Sequence, residues 1–264
     1  MFDKYKMCTI LAKRFPNIGW IGVKNRDRPL ATRTKLLHSP IDNLQRVTLV
    51  DESTQWSEGM NSHGVSIISS SLTPTIGNAP AHTSKDGIKI RDALAASSVA
   101  DAVVALRSSR IAGCVMIFDA TTLWLIEGKD SNGEQIAREI TEDSIARTNH
   151  GIWIPTAGYQ EDSTNALLRM RRISSEARLL IADQILRMAN NSNELMLLLA
   201  KQWTTNPQIT TLRHPIPCIS TRTTEQLMLY PDKKIILLRN TNGILDFNQQ
   251  DANPVGSLVH VGIV

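Results

Sequence analysis

Long apolar runs are missing from this chain. No stretch of about 18 apolar residues occurs, so nothing in it reads as a membrane-spanning helix. The first seven residues, Met-Phe-Asp-Lys-Tyr-Lys-Met, lack the apolar segment of a signal peptide. Cysteine is scarce as well: Cys8, Cys114 and Cys218 are odd in number and far apart. With no Cys-x-x-Cys pair, neither a disulfide framework nor a zinc site is expected, and a reducing, cytoplasmic compartment fits. The six histidines never fall into a His-x-x-x-His or His-Glu-x-x-His spacing, and there is no phosphate-binding loop. No metal and no cofactor are therefore expected. The net charge of +4 is a mild excess. Its basic residues are scattered apart from Arg169-Met170-Arg171-Arg172, so no nucleic-acid face is read.

Repeats, low-complexity tracts and linkers are also lacking. At 264 residues the chain is read as one domain with ample length for a core. Short runs rich in Ile, Val and Trp predict strands over 8–13 and 18–24, turning at Pro16-Asn17. Further strands are expected near 33–38, 45–50 and 64–71, followed by a loop over 73–87. Apolar spacing predicts helix over 88–109, with Ser98 and Asp101 as breaks or caps. A hairpin over 114–119 and 122–127 comes next. Residues 163–203 read as helix interrupted near Asn190-Asn191-Ser192. A second hairpin spans 225–239, turning at Pro231-Asp232, and a last strand lies near 258–263. Strand blocks and helix blocks that alternate in this way predict an α+β fold of antiparallel sheets covered by helices.

What the chain does have is a cysteine close to its start, in Met7-Cys8-Thr9, with Asp27 nineteen residues later in Lys24-Asn25-Arg26-Asp27. If residues 1–7 were lost, Cys8 would carry a thiol and a basic α-amino group together. Removal could follow self-cleavage at Met7–Cys8 or translation from Met7. An α-amine titrates near pH 8 and a thiol near pH 8.5. The amine could then take the thiol proton without a histidine.

Several further segments occur in the order found in one family. They are Gly59-Met60-Asn61-Ser62-His63-Gly64-Val65, Ile90-Arg91-Asp92-Ala93-Leu94, Arg147-Thr148-Asn149-His150, Asp162-Ser163 with Arg169 and Arg172, and Thr223–Leu238. Together with the Cys8–Asp27 spacing, the chain resembles the linear amide C–N hydrolases, which include choloylglycine hydrolases, penicillin V acylase and isopenicillin N acyltransferase. The resemblance implies an N-terminal-nucleophile (Ntn) hydrolase fold, a four-layer αββα sandwich over residues 8–264 behind a removable leader, 1–7. It implies a cysteine amidase or acylase acting on a small-molecule amide through an acyl-enzyme. Acyl transfer to an amine and a silent binding protein that keeps its leader remain open, as does a homo-oligomer.

The resemblance also assigns roles. Cys8 is the nucleophile and Asp27 its orienter. Asn149 is an oxyanion donor, with a backbone N–H near Ser71 as the second. Lys24 stands where choloylglycine hydrolases carry an arginine, and Arg26 could reach the same place. Arg169, with Arg172 as the other choice, is the arginine that bonds back toward the nucleophile. A related family with a Met-Cys start and an Asn-Arg-Asp-Glu signature agrees at Asn25-Arg26-Asp27, but Arg28 replaces its glutamate.

Overall fold

The computed structural model describes residues 8–29, 34–41, 44–52, 55–72, 84–129, 133–160, 163–201, 203–204, 221–240 and 258–263. The proposed leader, residues 73–83 of the expected loop, Asp162 and Cys218 lie outside them.

Two antiparallel sheets form the centre. One combines β1 (Thr9–Phe15), β2 (Gly19–Pro29), β10 (Ser144–Arg147), β11 (Thr221–Tyr230), β12 (Ile235–Asn240) and β13 (Leu258–Gly262), in the order β10-β1-β2-β11-β12-β13. The other runs in sequence order from β3 to β9. Its strands are β3 (Thr34–Ile41), β4 (Leu44–Asp51), β5 (Ser57–Asn61), β6 (Ser66–Ser70), β7 (Gly113–Phe118), β8 (Leu123–Gly128) and β9 (Gln135–Glu139).

Strand alternation sorts the side chains into three cores. Ile10, Ala12 and Trp20 from the first sheet meet Ile68, Met116 and Phe118 from the second, filling the space between the sheets. Leu11, Ile21 and Val23 point the other way, onto α3 (Ala166–Met188) and α4 (Ser192–Ala200) through Ala182, Ile185 and Leu195. Ile67, Val115 and Ile117 face α1 (Ser84–Ala93) and α2 (Val99–Ser109) through Ile90, Ala93, Ala102 and Leu106. The result is the expected four-layer αββα sandwich. Gly22 lets the sheets approach closely, because a Cβ there would lie 2.3 Å from the Phe118 ring.

Local signals set most of the boundaries. Ser98 caps α2 by accepting from the Asp101 N–H at 3.1 Å, which divides the expected 88–109 helix in two. Asn191 caps α4 through the Glu194 N–H, resolving the break near 190. The segment Gly59–Val65 is structural. Asn61 Oδ1 accepts from the N–H groups of His63 and Val65, and its Nδ2 donates to the carbonyls of Leu94 and Ala96 after α1. Three strands were not expected. β9 and β10 are sheet edges whose residues are largely half-exposed, so they carry no apolar run. β5 contains Glu58 and Asn61, both fully buried, in place of hydrophobic residues. Helix α1 begins at Ser84, inside the expected 73–87 loop.

Candidate active site

The β1–β2 register places the nucleophile. Thr9 is opposite Asn25 and Ile10 is opposite Lys24, so Cys8 falls opposite Arg26. Cys8 has the same parity as Ile10 and Ala12, which aims its thiol between the sheets. Thr9 points toward the helices. Cys8 is only 1% exposed.

Asn149 lies just past β10, beside the start of β1. Its Oδ1 accepts from the Cys8 N–H at 2.9 Å, and its Nδ2 donates to the Ser71 carbonyl at 2.8 Å. One amide N–H of Asn149 remains after that bond. Arg178 completes the arrangement from α3. Its Nη1 donates to the Cys8 carbonyl at 2.9 Å and to Thr9 Oγ1 at 3.1 Å, and its Nη2 donates to Asn149 Oδ1 at 3.0 Å. The helix runs alongside β1 in the same direction. Arg178 meets the strand's start, and Lys13 Nζ donates to the Leu186 and Ala189 carbonyls near the helix end.

Asn149 is itself held on both sides. Ser175 Oγ accepts from the Asn149 N–H at 2.9 Å and lies 2.8 Å from His150 Nδ1 and 2.9 Å from Thr148 Oγ1. Ser70 Oγ donates to the Thr148 carbonyl at 2.6 Å. Burial, then the nearby Arg172 charge, pushes the His150 pKa down to about 4. The ring is therefore neutral at physiological pH. Beyond His150, Glu127 Oε1 accepts from three consecutive N–H groups, those of Ile152, Trp153 and Ile154, at 2.7–3.0 Å. Burial raises the Glu127 pKa above its ordinary value, against the pull of those bonds and of Arg147.

On the thiol's own face lies a buried set of charges. Lys24 Nζ pairs with Glu58 Oε1. Arg26 Nε lies 3.2 Å from Glu58 Oε2, and its Nη1 lies 3.9 Å from Glu225 Oε2. Glu225 also accepts from Thr34 Oγ1 and Thr224 Oγ1. Trp56 Nε1 donates to Ser69 Oγ, which in turn reaches Glu58.

The structure brings Cys8, Asn149 and Ser71 together and sets the other sequence-predicted residues in different places. Arg169 is not the arginine at the nucleophile. It precedes Arg178 by nine residues, two and a half helical turns, which puts it on the opposite face and about 13 Å along the axis. It is exposed and donates to the carbonyls of Ser163 and Thr164. Arg172 instead pairs with Glu176 and donates to the Tyr159 carbonyl. Lys24 sits one row deeper than Cys8, beside Ile10, with Glu58 as its counter-ion. Arg26 is the cation level with the thiol. Asp27 has the opposite parity, so its carboxylate leaves the thiol's face. It accepts from Thr223 Oγ1 at 2.7 Å and lies level with the nitrogen end of β1.

Arg178, Ser175, Glu127, Glu58 and Glu225 were missed. A signal for the first did exist, since Ser175-Glu176-Ala177-Arg178 sets a serine and an arginine three residues apart, one helical turn, on the same helix as Arg169 and Arg172. Among the described residues no group of three or more His, Cys, Asp or Glu could hold a metal ion. No described helix is long and apolar enough to cross a membrane.

No protein-family model and no curated protein sequence matches the chain. Solved structures do resemble it. A penicillin V acylase from Agrobacterium tumefaciens aligns at 12% identity and TM-score 0.48, over 96% of this chain and 90% of that one. A single-residue mutant of the conjugated bile acid hydrolase from Clostridium perfringens aligns at 11% identity and TM-score 0.46, over 97% of each chain.

Proposed function

We propose that this protein is an amidase that cleaves linear amide C–N bonds, with Cys8 as nucleophile, after residues 1–7 have been removed. The observation that carries this reading is the bond from the Cys8 nitrogen to Asn149 Oδ1, made on a carboxamide that Arg178 also holds. That bond needs one hydrogen on nitrogen, which both a peptide N–H and a free amine possess. Removal of the leader therefore leaves the nitrogen oriented and makes it a base titrating near pH 8.

In this reading the α-amine takes the thiol proton as sulfur attacks the substrate carbonyl. The developing oxyanion is met by the remaining Asn149 amide N–H and a backbone N–H near Ser71, donors that need not reorganise during reaction. Collapse breaks the C–N bond, and the α-ammonium returns its proton to the departing amine. Water, deprotonated by the same α-amine, then attacks the thioester and releases the acid. Asp27, level with the nitrogen, favours the ammonium that forms in each half-reaction. An amine in place of water would turn the same intermediate into acyl transfer.

The test is intact mass after mixing a panel of amides with protein that begins at Cys8. An acyl adduct on Cys8 followed by its hydrolysis is expected. Cys8→Ser should lose turnover, because an alkoxide forms far less readily than a thiolate near neutral pH. Full activity in Cys8→Ser, or equal activity with residues 1–7 still attached, would rule the mechanism out.

A further inference from the structure

Arg26 stands out among the buried side chains. It is fully buried, yet none of its three guanidinium nitrogens makes a hydrogen bond among the described residues. A guanidinium carries five N–H donors, and native proteins seldom leave buried donors unmade. The two carboxylates near it supply charge without hydrogen-bond geometry. Arg26 is also the residue opposite Cys8 in the β1–β2 register, on the face to which the thiol points. Side chains paired across antiparallel strands have Cβ atoms about 5 Å apart. The root of Arg26 therefore lies beside the residue that would carry the acyl group, and its unmade donors belong to the same inter-sheet face.

Charge decides what those donors can take. Lys24 and Arg26 bring two positive charges, and Glu58 and Glu225 bring two negative ones. Among the described residues these ion pairs balance one another. An anionic ligand would add an uncompensated charge to a dry interior, which is strongly unfavourable, and the Cys8 thiolate would repel it further. An uncharged oxygen acceptor would satisfy the donors without that penalty. A plain hydrocarbon would leave them unmade.

We propose that Arg26 selects the acyl group of the substrate by donating to a neutral oxygen on that group close to the scissile carbonyl, such as a hydroxyl, an ether or a second amide carbonyl. This rests on the amidase reading of Cys8 and names the substrate class for it. Acyl groups with a neutral oxygen at that position are preferred over both hydrocarbon and carboxylate-bearing ones.

The test uses small thiol reagents, so it does not depend on turnover. The purified chain is treated with iodoacetamide (neutral oxygen), iodoacetate (anion) and methyl methanethiosulfonate (no acceptor on the transferred group). Rates at Cys8 are read by mass mapping against Cys114 and normalised to free cysteine. Iodoacetamide should lead each of the other two by about tenfold or more, the worth of one hydrogen bond. R26K keeps the charge but not the planar fork, and should remove the iodoacetamide lead. E225Q gives the set a net positive charge and should raise iodoacetate selectively, while circular dichroism confirms that both variants fold. Equal normalised rates, a lead by iodoacetate, an R26K profile like the wild type, or no labelling of Cys8 by any reagent would each overturn the proposal. Selective labelling with no acyl adduct from any amide would instead sink the amidase reading and leave Arg26 as the selector of a neutral ligand.

Discussion

The two faces of β2 near Cys8 hold their polar groups in opposite ways. On the helix side, Arg178, Asn149, Thr9 and Ser175 form a network in which nearly every contact is a hydrogen bond of 2.8–3.1 Å. On the inter-sheet side, Lys24, Arg26, Glu58 and Glu225 balance charge while the Arg26 donors stay unmade. One face fixes geometry by directed bonds. The other pairs charges and leaves hydrogen-bonding capacity on the face the thiol shares. The difference separates the part that orients the nucleophile from the part that can meet a ligand.

Arg178→Met should break the helix side most severely. It removes donors from the Cys8 carbonyl, Thr9 and Asn149 at once. Stability should fall by at least about 3 kcal/mol, since bonds to charged groups are worth roughly 1.5–3 each and do not add fully. Acyl-enzyme formation should disappear. Urea unfolding and intact mass read the two effects. Arg178→Lys recovering full activity would show that the directed fork is unimportant.

The inter-sheet set should respond differently. Glu58→Ala leaves Lys24 and Arg26 without their shared carboxylate, and should cost about 3–5 kcal/mol. Replacing Lys24 and Glu58 together by Met removes one charge of each sign. That double variant should be close to neutral, or stabilising by about 1–4 kcal/mol. If it is as damaging as Glu58→Ala, the cluster is as geometrically demanding as the Arg178 network and the contrast fails. On the helix side, Asn149→Ala should lower kcat by about 10²–10³, as loss of one oxyanion donor does, with KM moving less. An unchanged kcat with a raised KM would make Asn149 a substrate contact.

How much of this could be read from the sequence differs between the same two regions. Cys8 and Asn149 were legible because each sits at the end of a strand within a short motif. The choice among arginines was not. In the first half of α3 the usual amphipathic pattern is inverted. Leu167, Met170 and Ile173 are 42–61% exposed, while Arg171, Ser174, Ser175 and Arg178 are buried. A reading that turns apolar residues inward therefore points Arg178 at solvent. Lys24 and Arg26 share a face by alternation, and only the pairing of Thr9 with Asn25 decides which one is level with the thiol. Register is a long-range property that no local motif carries. Antiparallel sheets covered by helices were accessible from the order of strand and helix blocks, and the four-layer αββα arrangement only through the family resemblance, whereas the polar edge strands β9 and β10 were not.

A further expected effect sharpens the comparison through pH. His150 is a titratable group of the helix-side network, and its folded pKa is lowered to about 4, first by burial and then by Arg172. The unfolded side chain titrates near 6.5. Between these values the unfolded state binds more protons, so stability rises with pH across the window. The contribution is fully present above about pH 6.5 and is lost as pH falls toward 4. Each unit of depression is worth about 1.4 kcal/mol, less whatever relaxation around the ring recovers. Protonation would also place a charged ring against Ser175 Oγ, the group that holds the Asn149 N–H. A His150→Gln variant should therefore show a flatter stability profile from pH 6.5 to 4.5, read by urea unfolding at closely spaced pH values. The inter-sheet variants should leave that slope as it is in the wild type. An unchanged slope in His150→Gln would assign the acid limb to carboxylates and detach it from the helix-side network.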